Sequence, residues 1–147
     1  MITTSPDETR RLAARLAGVA RPGDLLALHG DLGAGKTEFA KGFASGLGVT
    51  ATVSSPSFIL MAEYAGRLPL FHLDLYRLVS ADDALAGGLL DERQAGGVTL
   101  VEWPERFGRA LPADRLDVRI DGPGEAVRTI ALEAVGSGHG HYLEALR

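Results

Sequence analysis

The 147-residue chain contains no cysteine, so it forms no disulfide and offers no thiolate to a metal. That absence is compatible with a cytosolic protein, and a cytoplasmic location is the expectation. Lysine is nearly absent too: only Lys36 and Lys41 occur, and almost all positive charge is arginine. The formal net charge of −4 supplies no overall electrostatic pull toward nucleic acid. No apolar run approaches the roughly 20 residues that span a bilayer. The stretch Met1 to Glu8 has neither a basic start nor an apolar core, so no signal peptide is expected there. There is one tryptophan, Trp103, and no internal repeat. Hydrophobic content of 46% and charged content of 23% are ordinary for one globular domain large enough to bury a core.

What is present is a glycine loop. Gly30-Asp31-Leu32-Gly33-Ala34-Gly35-Lys36-Thr37 fits the pattern G-x-x-x-x-G-K-[ST]. The apolar run Leu25 to Leu28 precedes it as a buried strand. Phe39 and Phe43, four residues apart on one helical face, follow it. Strand, loop and helix in that order are the context a phosphate-binding loop needs. Its glycines let backbone N–H groups turn toward phosphate oxygens, and the helix N-terminus adds partial positive charge. Lys36 can reach the β- and γ-phosphates, and the Thr37 hydroxyl can ligate Mg²⁺.

The rest of the chain reads as α/β. Ser5-Pro6-Asp7-Glu8 is a capping box opening a helix that ends near Gly18. Residues 58–64 and 68–73 read as two strands of a hairpin. Ser80 to Asp83 caps a short helix, and Leu89 to Gln94 reads as a further helical turn. Val98 to Val101 reads as a buried strand ending at Glu102. Residues 115–121 and 127–134 alternate apolar and polar positions around Gly122-Pro123-Gly124, an antiparallel pair with one solvated face. The expected architecture is a P-loop NTPase fold: a mixed, largely parallel central sheet flanked by helices, with a C-terminal antiparallel hairpin. Residues 1–135 read as the P-loop domain, and residues 136–147, rich in glycine, read as a flexible tail with room for a final helical turn.

A phosphate loop needs acidic help to hold Mg²⁺ from the ends of neighbouring strands. Asp74 ends Leu70-Phe71-His72-Leu73-Asp74, and Glu102 ends Leu100-Val101-Glu102. Strand C-terminal ends converge on the loop's side of an open α/β sheet, so both carboxylates can face the nucleotide. The alternative is that they are solvated acids at strand ends. His72, two residues before Asp74, reads by residue type as a core histidine. Ser54-Ser55-Pro56-Ser57 reads by residue type as a proline turn, although such a loop can offer a hydroxyl to Mg²⁺ or the γ-phosphate. Trp103 has three readings: core packing, a neighbour of the nucleotide, or a partner anchor.

The succession G-D-L-G-A-G-K-T, S-P-S-F, F-H-L-D-L-Y-R-L and L-V-E-W-P-E-R resembles the TsaE (YjeE) family, from about Thr9 to about Leu132. These are small bacterial P-loop ATPases involved in threonylcarbamoyl-adenosine modification of tRNA. The resemblance implies ATP and Mg²⁺ as cofactors and two partners, TsaD and TsaB, with any tRNA contact made through that complex. TsaD would transfer the threonylcarbamoyl group, and the TsaE-like chain would hydrolyse ATP to reset the complex. It implies nucleotide-binding roles for Thr9, Asp31, Gly33, Ala34, Gly35, Lys36, Thr37, Glu38, Ser57, Trp103 and Arg128. It implies metal-holding roles for Thr37, Asp74 and Glu102, and catalytic roles for Lys36, Asp74 and Glu102. Thr9 matches a position by the adenine, Arg128 one near the base, and Ser57 replaces a threonine while keeping the hydroxyl. Glu38 departs from the family, where a second Thr or Ser is usual. Its carboxylate is expected to point away from the γ-phosphate.

Other functions stay open at this point. A small-molecule kinase on the same fold would need an acceptor pocket and an arginine-bearing lid. The segment Ala81 to Arg93 could serve, but Arg93 is its only basic residue. A third reading is a binding module whose nucleotide only props the fold.

Overall fold

The computed structural model describes residues 1–31, 33–53, 61–76, 92–122 and 127–146. Among these residues seven strands form one sheet: β1 (Ile2–Thr3), β2 (Leu25–His29), β3 (Met61–Tyr64), β4 (Leu70–Asp74), β5 (Val98–Glu102), β6 (Arg115–Asp121) and β7 (Arg128–Val135). Their spatial order is β1-β7-β6-β2-β5-β4-β3. The four central strands, β6, β2, β5 and β4, are parallel neighbours, and the outer pairings are antiparallel. This is the mixed, largely parallel sheet expected, with the β6–β7 hairpin at its C-terminal side. β4 and β5 are buried along their whole length, as central strands of a parallel sheet are. Among the described residues no helix is long and apolar enough to cross a membrane.

Strand alternation divides the core. Leu26, Leu28, Leu70, Leu100, Leu116, Val118 and Ile120 face one cluster, together with Phe39 and Phe43. Leu25, Ala27, Phe71, Leu73 and Val101 face the other, with Phe107. The first face carries α1 (Pro6–Ala17) and α2 (Lys36–Gly46). At α1 the Glu8 amide donates to Ser5 Oγ at 3.1 Å, as a capping serine requires. The Glu8 carboxylate reaches one residue further back than a standard capping box, accepting from Thr4 N at 2.6 Å. The two helices approach through Gly42, where a Cβ would sit 2.2 Å from the Arg10 carbonyl oxygen.

After Val135 the chain closes in the final helical turn that the reading of the tail allowed, and it is packed rather than loose. Gly140–Glu144 form a short helix, α3, and Tyr142 is fully buried. The anchor is Asp24, just before β2. Its Oδ2 accepts from Tyr142 Oη at 2.5 Å, from the Arg21 amide at 2.9 Å, and pairs with His141 Nε2 at 2.8 Å. His139 Nε2 accepts from the Leu25 amide at 3.0 Å, which leaves Nδ1 as the protonated nitrogen facing Asp114 at 3.2 Å. Burial and the Asp24 carboxylate both hold the Tyr142 phenol well above its usual pKa. Glycine content suggested mobility because it measures backbone freedom, whereas the anchoring contacts come from side chains more than a hundred residues away in sequence.

Two outcomes test this packing. Gly42→Ala forces a Cβ into the Arg10 backbone, which no side-chain rotation relieves, so denaturant unfolding should show a loss of about 2 kcal/mol or more. Tyr142→Phe keeps the ring but removes a donor from a buried carboxylate. It should cost about 1–3 kcal/mol in the same measurement.

Candidate functional site

β2 runs into the glycine loop, and the loop runs into α2. Gly30 approaches β6 so closely that a Cβ there would lie 2.5 Å from the Ile120 carbonyl oxygen. Gly35, the residue capping α2, has φ +111°, a left-handed conformation that a side chain would strain. The loop closes on itself through the Ala34 amide, which donates to Asp31 O at 3.0 Å.

Arg128, at the start of β7, holds the loop from the side. Its Nε donates to Ala34 O at 2.7 Å and its Nη2 to Gly33 O at 3.3 Å. In a trans peptide the amide points opposite to its carbonyl, so the Gly35 amide faces away from the guanidinium that holds Ala34 O, while the Ala34 amide is the one bonded to Asp31. A cavity of about 120 Å³ lies here, bordered by Asp31, Gly33, Ala34, Asp121, Gly122 and Arg128. Thr9 sits on the same side of the fold. It is buried, its hydroxyl shares a hydrogen with Thr3 Oγ1 at 2.7 Å, and Thr3 pairs with Arg128 across β1 and β7.

Lys36, the first residue of α2, is only 4% exposed, yet its Nζ has no hydrogen-bond partner among the described residues. It lies 3.7 Å from the ring centroid of Trp103. Burial pulls its pKa below the usual lysine value, against the opposing pull of Glu102, Glu105, Asp74 and Asp31. Trp103 itself has φ 58°, the one positive φ outside glycine among the described residues. Tyr76 packs against it, with ring centroids 5.0 Å apart, and is itself 44% exposed.

Asp74 and Glu102 are register partners at the ends of β4 and β5, and both are buried. Period-2 alternation puts them on the α2 side of the sheet, the side of Leu70 and Leu100. Asp74 Oδ1 accepts from the Tyr76 amide at 3.0 Å. Glu102 Oε2 lies 2.6 Å from His72 Nε2. The sequence reading of His72 did not foresee this partner. The H-x-D spacing put His72 on the face of Asp74, but only strand register says which residue of β5 it meets.

The structure therefore brings Lys36, Asp74, Glu102 and Trp103 together, with Gly33, Ala34, Gly35 and Thr37 beside them. Asp31 is exposed at the loop's start. Glu38 is turned to α1, where Arg10 Nη1 donates to it at 2.7 Å. Ser57, Arg77, Leu32 and the candidate lid from residue 81 to 91 lie outside the described residues. Chemically, a loop of amides, a helix N-terminus and an ammonium without a partner suit an anion, and adjacent carboxylates suit a cation. No group of three or more His, Asp or Glu among the described residues could hold a metal alone. A cation here would need ligands from a bound anion as well.

A family model described as threonylcarbamoyl adenosine biosynthesis protein TsaE matches residues 3–130. The chain belongs to the TsaE family. The TsaE protein of Bacillus subtilis is 47% identical over 137 residues, 92% of this chain and 85% of that protein. The TsaE protein of Streptomyces coelicolor is 42% identical over 115 residues, covering 76% of this chain and 78% of that one. The crystal structure of YdiB of Bacillus subtilis superposes with a TM-score of 0.83 at 42% identity, over 99% of this chain and 91% of YdiB. TsaE membership ties the chain to tRNA threonylcarbamoyladenosine biosynthesis and bears out both the resemblance and the P-loop fold read from the motifs.

The buried ammonium leads to an unusual stability prediction for this TsaE chain. Desolvation outweighs the nearby carboxylates at Lys36, so its charge is a net cost to the ligand-free fold. Lys36→Met should leave the ligand-free thermal midpoint unchanged or raised, by differential scanning calorimetry. A drop of several degrees would show that the cation–carboxylate attraction dominates instead.

Proposed function

We propose that the chain binds ATP with Mg²⁺ through Gly33 to Thr37 and hydrolyses it, slowly alone and faster on a TsaD–TsaB complex, in the cytoplasm. The observation that carries this reading is the Lys36 ammonium: buried, without a hydrogen-bond partner among the described residues, at a helix N-terminus after a glycine loop, and beside two strand-end carboxylates. A fold keeps such a group where a bound anion repays its desolvation.

The residues present fit a magnesium–nucleoside triphosphate. The loop amides, Lys36 and the N-terminus of α2 would hold the phosphates. Thr37, Asp74 and Glu102 would hold the ion, directly or through water. When bound, Mg²⁺ would neutralise charge on the phosphate oxygens. Lys36 would stabilise the negative charge that grows there as the terminal phosphate departs. Glu102 would orient the attacking water and accept its proton, while Asp74, held by the Tyr76 amide, keeps a fixed carboxylate beside it. Arg128 would keep the loop's amides aligned in advance, so little reorganisation is needed at the moment of reaction.

The reading predicts graded losses. Lys36→Ala should weaken ATP binding or lower turnover by several kcal/mol equivalents, since a charged hydrogen bond in a closed site is lost. Asp74→Ala and Glu102→Ala should lower hydrolysis far more than ADP binding, because their role arises at the terminal phosphate. Turnover of ATP by the chain alone and with TsaD–TsaB is the experiment that tests the whole. An acceptor-dependent activity would point to a kinase, and no turnover under either condition would leave a nucleotide-propped binding module.

Trp103 and Tyr76 form the partly exposed aromatic face next to Lys36, and we assign the partner contact to that face. Trp103→Ala should weaken capture by TsaD–TsaB in a pull-down while circular dichroism stays unchanged. Normal capture would return Trp103 to a packing role.

A further inference from the structure

His72 is fully buried on β4, and its Nε2 lies 2.6 Å from Glu102 Oε2 on the adjacent parallel strand. It registers opposite Leu100, two residues before Glu102, so the ring crosses diagonally to reach the carboxylate. An ionised carboxylate only accepts hydrogen bonds, so the ring donates from Nε2. In the neutral ring Nδ1 then carries no hydrogen, and it has no partner among the described residues. The opposite tautomer would leave a buried N–H without an acceptor and set two acceptors against each other at 2.6 Å. Bond accounting therefore selects one tautomer.

Glu102 has three rotatable side-chain bonds, and a bond to one oxygen sets the plane of its carboxylate. The backbone does the same for Asp74, through the Tyr76 amide at 3.0 Å. Glu102 is restrained instead by a side chain from the next strand. We propose that His72 is a positioning residue for ATP hydrolysis: it donates from Nε2 to Glu102 Oε2, fixing the carboxylate so that its other oxygen serves the attacking water. This rests on the reading of the site as an ATPase centre.

The test compares His72→Leu and His72→Gln, each with TsaD–TsaB, ATP and Mg²⁺. His72→Leu should lower kcat about ten- to a hundredfold, the range for losing an orienting partner, with ADP affinity changed less than about threefold. His72→Gln keeps an amide donor and should recover most of the rate. In a Glu102→Gln background, His72→Leu should have no further effect on the residual rate, since it acts only through that carboxylate. A separate readout is the ¹⁵N spectrum of the ligand-free wild type: the His72 hydrogen should sit on Nε2, and its resonance should shift in Glu102→Gln. Wild-type turnover in His72→Leu, an equal loss in both backgrounds, or a hydrogen on Nδ1 would overturn the proposal. If His72→Leu fails to fold, His72→Gln and the spectrum carry the test. If the wild type itself shows no ATP turnover, the ATPase reading fails, and the spectrum still decides whether the His72–Glu102 bond exists as stated.

Discussion

Lys36 stands where three requirements of the fold meet. It begins α2, follows a loop that only glycines can shape, and lies under the ends of two buried strands. Its ammonium is out of water and has no hydrogen bond among the described residues. Desolvation of such a group costs several kcal/mol unless charge or polarisable surface compensates it. Here the compensation comes from Glu102, Asp74, Glu105 and Asp31 at a distance and from the face of Trp103 at 3.7 Å. None of these is a hydrogen bond, so the group stays available to a stronger anionic partner.

The surrounding structure serves to hold this arrangement still. Four parallel strands bring Asp74 and Glu102 to the loop's end of the sheet, and their register sets the two carboxylates side by side. The loop is pressed against β6 at Gly30 and gripped by Arg128 through two of its carbonyls. Gly42 lets α1 close on α2, and Arg10 of α1 draws Glu38 away from the phosphate side of the helix. At the other end of β2, Asp24 gathers Arg21, His141 and Tyr142 and so fastens the C-terminal helix beneath the sheet. The fold is secured at one end of β2 and kept receptive at the other.

Much of this was legible in the residues. Alternation in 115–121 and 127–134 marked the β6–β7 hairpin, the hairpin reading of 58–64 and 68–73 marked β3 and β4, the apolar run Val98 to Val101 marked β5, and the glycine loop marked the turn from β2 into α2. These signals are local, with the period of the element that produces them. What was not legible depends on register and on contacts distant in sequence. His72 read as a core histidine and is fully buried, but its partner Glu102 was not legible, because it sits 30 residues on, across a strand boundary. The 136–147 segment looked flexible because Asp24, which holds it, lies 118 residues from Tyr142. Arg128 was expected near the base from family resemblance, and its bonds to the Ala34 and Gly33 carbonyls had no local signal at all.

The central claim is that Lys36 is held unpartnered for the phosphates of ATP. The most direct measurement is a crystal structure of the chain with Mg²⁺ and a non-hydrolysable ATP analogue. The account predicts Nζ of Lys36 moved off the Trp103 ring and onto the β- and γ-phosphate oxygens, with the Thr37 hydroxyl and the Asp74 and Glu102 carboxylates around the ion. An analogue bound elsewhere, with Lys36 still seated over Trp103, would contradict it.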